Sequence, residues 1–316
     1  MTTLPPEFDR IARHFRPLAG PGALGLQDDA AVFAPPVGRE LVIAADAMVA
    51  GVHFLPDDPV DLVARKLLRT NLSDLAAMGA DPLGYLTTIS VPRDTPDAWF
   101  AAFAAGLAAD QAEFGLSVLG GDCTSTPGPV SLSLTILGHV APGTAIRRNG
   151  ARVDDEIWVS GTIGDGALGL LAAQGKTADP DGFLAHRYRM PQPRLGLARA
   201  GLVQAAMDVS DGLVQDLGHL CRASGVGAVI LAADVPLSVP ARATDDLVRC
   251  LTGGDDYELL MAIAPADAAA FQAHAAEIGV AVARIGLFTQ APAQVSVIGP
   301  DGMPMTLGSG GWSHFA

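Results

Sequence analysis

The segment 62–82 constrains the fold most, because it places polar side chains on a helical face that otherwise carries carbon. The residues of that face, at steps of four, three and four, are Leu67, Asn71, Asp74 and Met78. Gly79 supplies a helix stop and Pro82 forbids continuation, so we expect Asp74 in the last turn. A buried carboxylate is costly unless a cation meets it. Asn71 and Asp74 therefore either cap a neighbouring loop or belong to a charged site.

Carboxylates recur beside glycine along the chain. We predict a buried strand at 41–45 that ends at Asp46, and a short strand at 117–119 followed by Gly120, Gly121 and Asp122. Open sheets bind ligands at the carboxyl ends of strands, and glycine lets backbone N–H groups approach a ligand closely. The acids in such positions are Asp28, Asp29, Asp46, Asp74, Asp122, Asp208, Asp211 and Asp255. This number favours a site for several Mg²⁺ ions and phosphate, whose chemistry is phosphoryl transfer.

The remaining segments complete a two-domain arrangement. We predict helices at 7–15, 98–114, 195–205 and 213–223, and strands at 30–33, 86–91, 131–140 and 156–160. Pro142 and Gly143 mark a boundary between domains 1–142 and 143–316. Ser210 and Asp211 are candidates for capping the helix at 213. The segment 308–315 is either a lid or a hydrophobic plug.

Two glycine patterns suggest nucleotide motifs. Gly164, Gly166 and Gly169 fit a dinucleotide-binding fingerprint, but no apolar strand with a ribose-binding acid follows about 20 residues later. The hypothesis that the protein is a nicotinamide-dependent oxidoreductase rests on this pattern alone. Residues 175–177 resemble the end of a P-loop, yet Leu170 occupies the position of its first glycine, and a helix precedes it.

The composition limits the classes of molecule that the protein is expected to bind. With 34 acidic and 20 basic residues the net charge is −14, which argues against binding of nucleic acid. Lys66 and Lys176 are the only lysines, so a phosphate site depends on metal, backbone N–H or arginines such as Arg147 and Arg148. No uncharged apolar run reaches about 18 residues, so we expect no membrane span. Residues 1–7 lack signal-peptide features, and three cysteines without metal-site spacing suit a reducing cytosol, so we expect a soluble, cytoplasmic protein.

Six segments together resemble the thiamine-monophosphate kinases, in the same order and over nearly the whole chain. They are 26–31, Asp46 with 51–54, 71–82, 120–122, 208–212 and 253–259. The string at 71–82 is specific to these kinases within a superfamily that includes aminoimidazole ribonucleotide synthetase, selenophosphate synthetase and a hydrogenase maturation protein. Selenophosphate synthetases carry a reactive Cys or selenocysteine near a glycine-rich amino terminus, whereas the first cysteine here is Cys123.

The resemblance implies an α/β (α+β) fold with an N-terminal ATP- and Mg²⁺-binding domain that dimerises through its sheet, and a C-terminal α/β domain. It implies a homodimer that converts ATP and thiamine monophosphate into ADP and thiamine diphosphate. The implied Mg²⁺ ligands are Asp29, Asp46, Asp74, Asp122, Asp208 and Asp211. The implied ATP contacts are Gly121, Asp122, Arg148 and Ser210, with Asp122 and Arg148 catalytic. The implied contacts to thiamine monophosphate are His53, Asp255 and Trp312, whose aromatic face suits the thiazolium cation.

No general base is expected, because the acceptor is a phosphate with a second pKa of about 6. We therefore predict direct in-line transfer without a phosphoenzyme. Three positions depart from the family pattern: the pair Ala44 and Ala45, where a hydroxyl residue and threonine are usual, Gln27, where glycine is usual, and Asp255, where glutamate is usual. The alternatives are another ATP-dependent member of the superfamily and a non-catalytic nucleotide-binding subunit.

Overall fold

The structure is a computed structural model that describes residues 6–291, 293–308 and 310–312. The chain divides into two compact units. In the described part, unit 1 comprises residues 6–75 and 81–143, and unit 2 comprises residues 76–80 and the chain from 144 onward. The sequence analysis placed the division between 142 and 143 and assigned residues 76–80 to the first domain. No helix within these described ranges is both long and apolar enough to cross a membrane.

Unit 1 is built on a four-stranded sheet with the order β1-β4-β2-β3. Its elements are α1 (Pro6–Arg10) with a following π-helical turn (Ile11–Phe15), β1 (Glu40–Val49), α2 (Val60–Ala77), β2 (Asp81–Val91), α3 (Asp97–Phe114), β3 (Ser117–Ser125) and β4 (Ser131–Val140). Strand β4 is antiparallel to β1 and β2, whereas β2 and β3 are parallel. The predictions for α2, α3 and β4 are confirmed.

Helices α2 and α3 cover one face of this sheet. Helix α2 is followed by Gly79 in the left-handed region, with a φ of +68°, which ends the helix. A Cβ on Gly138 of β4 would lie 2.9 Å from the Leu75 side chain, so α2 packs directly on the strand. A Cβ on Gly106 of α3 would lie 2.1 Å from the Asp61 carbonyl oxygen. Gly138 therefore allows α2 to lie close to β4, and Gly106 allows α3 to lie close to α2.

On the opposite face of the sheet β1 is exposed, and this corrects the prediction of a buried first strand. Leu41 and Ile43 of β1 are 42% and 62% exposed. Asp46 does not end the strand either, since pairing with β4 continues to Val49. The sequence pattern showed apolar residues but not which side of the strand the helices would cover.

Two further predictions in unit 1 are wrong. Gly121 and Asp122 lie inside β3 rather than after it, because β3 continues beside β2 to Ser125. The predicted strand at 30–33 does not form, and Val32 is 72% exposed. This segment follows 3₁₀ turns at Arg16–Leu18 and Pro21–Leu26 and has no strand partner.

Unit 2 is built on a six-stranded sheet with the order β10-β7-β9-β5-β8-β6. Its strands are β5 (Glu156–Ser160), β6 (Ala205–Asp208), β7 (Gly227–Leu231), β8 (Leu259–Ile263), β9 (Val282–Thr289) and β10 (Val295–Ile298). Its helices are α4 (Asp165–Ala173), α5 (Phe183–Arg189), α6 (Leu213–Ser224), α7 (Val239–Ala243), α8 (Leu247–Thr252) and α9 (Ala268–Glu277). Strands β10 and β7 are parallel, and the other pairs are antiparallel.

The central strands β5 and β8 of the six-stranded sheet are buried on both faces. In β5, Ile157 and Val159 belong to one hydrophobic cluster, which α6 joins through residues such as Leu217. Trp158 belongs to a second cluster, where its ring meets that of Phe271 in α9 edge to face at 5.7 Å. Residues of a central strand therefore pack on both sides, as the continuous apolar sequence of β5 predicts.

The predicted helix at 195–205 is wrong. Residues 195–204 form turns, in which Gly196 and Gly201 have φ values of +79° and +88°, and β6 begins at Ala205. Left-handed glycines interrupt a segment whose leucines and alanines favour a helix. Helix α5 was not predicted, whereas β5 and α6 are confirmed.

Candidate functional site

In unit 1, helix α2 is tied to β1 by Asn71, whose side chain is fully buried. Its Oδ1 accepts the Asp46 N–H at 3.1 Å, and its Nδ2 donates to the Leu67 carbonyl at 2.9 Å. Asn71 therefore fixes the backbone that carries Asp46, rather than capping a loop. Burial raises the pKa of the Asp46 carboxyl, and Asp74 is half-buried in the last turn of α2.

His53 lies in a tight turn after β1. Its Nδ1 accepts the Val49 N–H at 3.0 Å, so the neutral imidazole carries its proton on Nε2. Lys66 is 2% exposed and donates from Nζ to the His53 carbonyl at 3.0 Å. Lys66 was not singled out by the sequence analysis, and its place within α2 beside the turn makes it a support for His53.

Strand β3 places Gly121 and Asp122 at the edge of the four-stranded sheet. A Cβ on Gly121 would lie 1.9 Å from the Thr87 carbonyl oxygen, so this position requires glycine. Gly121 and Asp122 line a cavity of about 780 Å³ together with Asp28 and Asp29. Unit 1 thus places the predicted acids Asp28, Asp29 and Asp122 and the predicted Gly121 around one cavity.

The structure does not bring Asp46 and Asp122 together within unit 1. Strands β1 and β3 are the two edges of the sheet, so at the usual strand spacing their backbones are about 14 Å apart. Asp46 pairs with buried Leu134, whereas Asp122 pairs with exposed Thr88, so the two acids also belong to different faces. Within one chain these two carboxylates are therefore too far apart to belong to one site.

In unit 2, β6 ends at Asp208 and a short loop leads into α6. Asp216, which is 1% exposed, accepts the N–H groups of Ser210, Asp211 and Gly212 at 3.0, 3.0 and 3.1 Å. Asp216 lies inside α6 and holds the loop that precedes the helix. The N-cap of α6 is Gly212, without a side-chain hydrogen bond, so the prediction that Ser210 or Asp211 caps α6 is wrong. Burial raises the pKa of Asp216 to about 7.

Asp216 could have been found from the sequence, because it interrupts the apolar stripe of α6. Its carboxylate lies within 4.8 Å of ligand atoms of Asp211 and His219, a spacing that a metal ion could fit. Mg²⁺ prefers oxygen ligands, whereas an imidazole nitrogen suits transition metals better. The acids of the loop, Asp208 and Asp211, fit Mg²⁺ without His219.

The carboxyl-terminal segment lies against this loop. The Trp312 N–H donates to the Asp211 carbonyl at 2.9 Å, and Gln215 Nε2 donates to the Trp312 carbonyl at 2.7 Å. The Trp312 side chain is 55% exposed. The lid or plug predicted at 308–315 falls partly outside the described residues. Burial lowers the pKa of His219, and the charges of Arg222 and of the exposed Arg148 add to this lowering.

The segment 253–258 runs beside the same loop. The Asp255 N–H donates to the Ser210 carbonyl, and the Tyr257 N–H donates to the Val209 carbonyl, both at 2.8 Å. Asp255 has a φ of +74° and Tyr257 a φ of +53°, conformations that few residues other than glycine adopt. Unit 2 thus brings together Asp208, Ser210, Asp211, Asp255 and Trp312.

The dinucleotide fingerprint has a structural explanation. The N–H groups of Gly164 and Gly166, at the start of α4, donate to the two carboxylate oxygens of Asp256 at 2.7 and 2.9 Å. Burial raises the pKa of Asp256 to about 8, against the lowering effect of these donors. A Cβ on Gly169 would lie 2.1 Å from the Leu184 carbonyl. The groups that would hold a pyrophosphate are already occupied by the protein.

Comparisons with known proteins match both units. The family model for the N-terminal domain of AIR synthase related proteins matches residues 27–140, and the model for the C-terminal domain matches residues 152–298. The thiamine-monophosphate kinase of Caulobacter vibrioides is 47% identical over 98% of this chain and 91% of its own length.

Two solved structures show the same fold. The crystal structure of thiamine-monophosphate kinase from Stenotrophomonas maltophilia has a TM-score of 0.82 and 38% identity, covering 94% of this chain and 96% of that chain. The structure of AaThiL complexed with AMPPCP and TMP, of which 91% is covered, has a TM-score of 0.77 and 28% identity over 91% of this chain.

Proposed function

Since the chain belongs to the thiamine-monophosphate kinase family of AIR synthase related proteins, we propose that it phosphorylates thiamine monophosphate with ATP. The observation that carries this proposal is the pairing of two loops in unit 2. The Asp255 N–H bonds to the Ser210 carbonyl, which places an acid suited to a thiazolium cation beside the acids Asp208 and Asp211. A relative bound to AMPPCP and TMP, which we take as an ATP analogue and thiamine monophosphate, supports both substrates.

Mg²⁺ is the cofactor that this set of acids fits, because its donors are carboxylate oxygens. The proposed ligands are Asp29, Asp46, Asp74, Asp122, Asp208 and Asp211. The proposal includes more than one ion, since the separation of Asp46 from Asp122 keeps these two acids of one chain from sharing an ion. When bound, the ions neutralise phosphate charge and lower the barrier to bringing two anions together.

ATP is contacted by Gly121, Asp122, Arg148 and Ser210 in this proposal. Gly121 is exposed on the edge strand β3, and Arg148 supplies an exposed guanidinium for phosphate oxygens. Asp122 and Arg148 are the proposed catalytic residues. Their role is to hold and neutralise the transferring group, since positioning and charge carry most of the catalysis in phosphoryl transfer.

Thiamine monophosphate is contacted by His53, Asp255 and Trp312 in this proposal. His53 offers an Nε2–H donor to a phosphate oxygen, because its Nδ1 already accepts a backbone N–H. The Asp255 carboxylate and the exposed ring of Trp312 suit the thiazolium cation. A phosphate oxygen of the acceptor attacks the γ-phosphorus of ATP, the bond to the β-phosphate oxygen breaks, and ADP leaves. No residue removes a proton, since this acceptor is largely ionised near neutral pH.

In this proposal residues 1–142 are the N-terminal domain that binds ATP and Mg²⁺ and dimerises, and residues 143–316 are the C-terminal domain, which contributes Arg148, Asp208, Ser210 and Asp211. A homodimer would cover the exposed apolar face of β1, including Leu41 and Ile43. The net charge of −14 supports a protein without nucleic acid as a partner. We place it in the cytoplasm, without membrane attachment.

The test is ADP release from ATP and Mg²⁺ with thiamine monophosphate, compared with thiamine or an aminoimidazole precursor as acceptor. We expect turnover with thiamine monophosphate alone, its loss in Asp122→Ala, and its loss when EDTA removes divalent metal. Turnover on the aminoimidazole precursor would identify another member of the superfamily. ATP binding without turnover on any acceptor would indicate a non-catalytic subunit and would direct attention to Ala44 and Ala45.

A further inference from the structure

We propose that Asp256 is a positioning residue for thiamine monophosphate, acting through the loop that carries Asp255. This inference rests on the proposed function, because Asp255 is the proposed thiazolium contact. Asp256 does not face the substrate in this scheme. It is 1% exposed, and its carboxylate is directed at the start of α4.

The Asp256 carboxylate joins two segments that are far apart in sequence. One oxygen accepts the Gly164 N–H and the other accepts the Gly166 N–H. Both donors lie at the N-terminus of α4, where backbone N–H groups lack helical partners. The segments also touch directly, since a Cβ on Gly166 would lie 2.2 Å from the Asp255 carbonyl oxygen. Helix α4 is therefore a rigid support against which the loop is held.

The loop needs such support because its backbone is strained. Asp255 and Tyr257, on either side of Asp256, have positive φ values of +74° and +53°. Such conformations are unfavourable for residues with a side chain and persist when the surroundings impose them. The sign of φ also sets the direction of Cβ, so relaxation of Asp255 would turn its carboxylate away from its present direction.

Glu258 anchors the other end of the segment to different partners. Its carboxylate, which is fully buried, accepts hydrogen bonds from Ser160, Arg187 and Arg194 at 2.6 to 2.8 Å. An Asp256 variant leaves these interactions intact. The effect of losing Asp256 should therefore centre on the residues before Glu258, which include Asp255.

Asp216 provides the matched counterpart. It holds Ser210, Asp211 and Gly212 through three N–H groups, as Asp256 holds Gly164 and Gly166. Asp216 thus supports the loop proposed for ATP and Mg²⁺, and Asp256 supports the loop proposed for the acceptor. The two buried acids should affect different substrates.

The experiment compares steady-state kinetics of the full chain with Asp256→Asn and Asp216→Asn. We expect Asp256→Asn to raise the KM for thiamine monophosphate roughly tenfold while the KM for ATP stays within about twofold. We expect Asp216→Asn to raise the ATP and Mg²⁺ requirement more than the KM for thiamine monophosphate. Equal changes in both KM values for Asp256→Asn, or no change in either, would overturn the inference.

Amide hydrogen exchange of the unliganded protein tests the support without reference to activity. In Asp256→Asn, one N–H donor faces an amide NH₂ group, so exchange at Gly164 or Gly166 should accelerate. Unchanged exchange at both would contradict the inference. If Asp256→Asn does not fold, Asp256→Glu, which keeps the carboxyl group but shifts its oxygens, is judged by the same criteria. Absence of turnover in the unmodified protein would instead overturn the proposed function.

Discussion

The two sheets of the molecule differ in how their apolar residues are covered. In unit 2, β5 carries Ile157 on one face and Trp158 on the other, and helices of the same chain bury both. In unit 1, helices bury one face only, and β1 presents Leu41 and Ile43 to solvent on the other. The sequences of the two strands look alike. The apolar sequence of a strand thus indicates that a face is covered. It does not show whether the same chain or another molecule covers that face.

The largest expected effect comes from placing a charge in the sheet that is buried on both sides. Ile157→Asp puts a carboxylate at a fully buried position without a cation beside it, which costs several kcal/mol against a typical stability of about 5–15 kcal/mol. We expect unit 2 to lose its folded structure. Circular dichroism and thermal unfolding measure this loss. A variant that melts within a few degrees of the parent would show that the two sheets are less different than they look.

A smaller effect is expected at the edge of the four-stranded sheet, where two adjacent glycines differ in the space available for a side chain. A Cβ on Gly121 would lie 1.9 Å from the backbone oxygen of Thr87, whereas a Cβ on Gly120 would meet the flexible Leu86 side chain at 3.2 Å. Gly121→Ala should destabilise the protein by about 1–3 kcal/mol and weaken ATP binding, because β3 must shift. Gly120→Ala is the matched control and should have smaller effects on protein stability and on ATP binding. Equal effects in thermal unfolding and ATP titration would remove the special role of Gly121.

The sequence predicted several regular elements of the fold and the acidic loop that follows β6, for identifiable reasons. Helix α2 has a strict apolar period and a glycine stop, and the acids 208–211 follow an apolar segment, so both were found. Asp256 was missed because its N–H partners are 92 and 90 residues away and only tertiary folding brings them to it. The partners of Asp216 are only four to six residues away, and the signal overlooked there was an acid in the apolar stripe of α6. The predicted helix at 195–205 failed because local composition could not show the left-handed glycines that break it.

A change of isoleucine to aspartate in β1, matching Ile157→Asp in β5, tests the exposed face of unit 1. Ile43 is 62% exposed, so Ile43→Asp should change the unfolding free energy of the monomer by at most about 1 kcal/mol. In a two-fold symmetric dimer the new charge occurs twice in the interface, so association should weaken strongly. Sedimentation velocity should show a dimer for the parent and a monomer for the variant. A variant that remains dimeric would place the proposed interface elsewhere.

The smallest effect is expected at an exposed apolar residue that does not belong to a sheet face. Val37 is fully exposed, at 102%, in the turn that precedes β1. A single exposed apolar side chain is common on protein surfaces and does not indicate a partner, whereas neighbouring ones on a strand form a patch. Val37→Asp should therefore leave the oligomeric state unchanged and alter stability by less than about 0.5 kcal/mol. If Val37→Asp dissociates the protein as Ile43→Asp is expected to do, the interface includes the turn, and continuity of the apolar face is not what defines it.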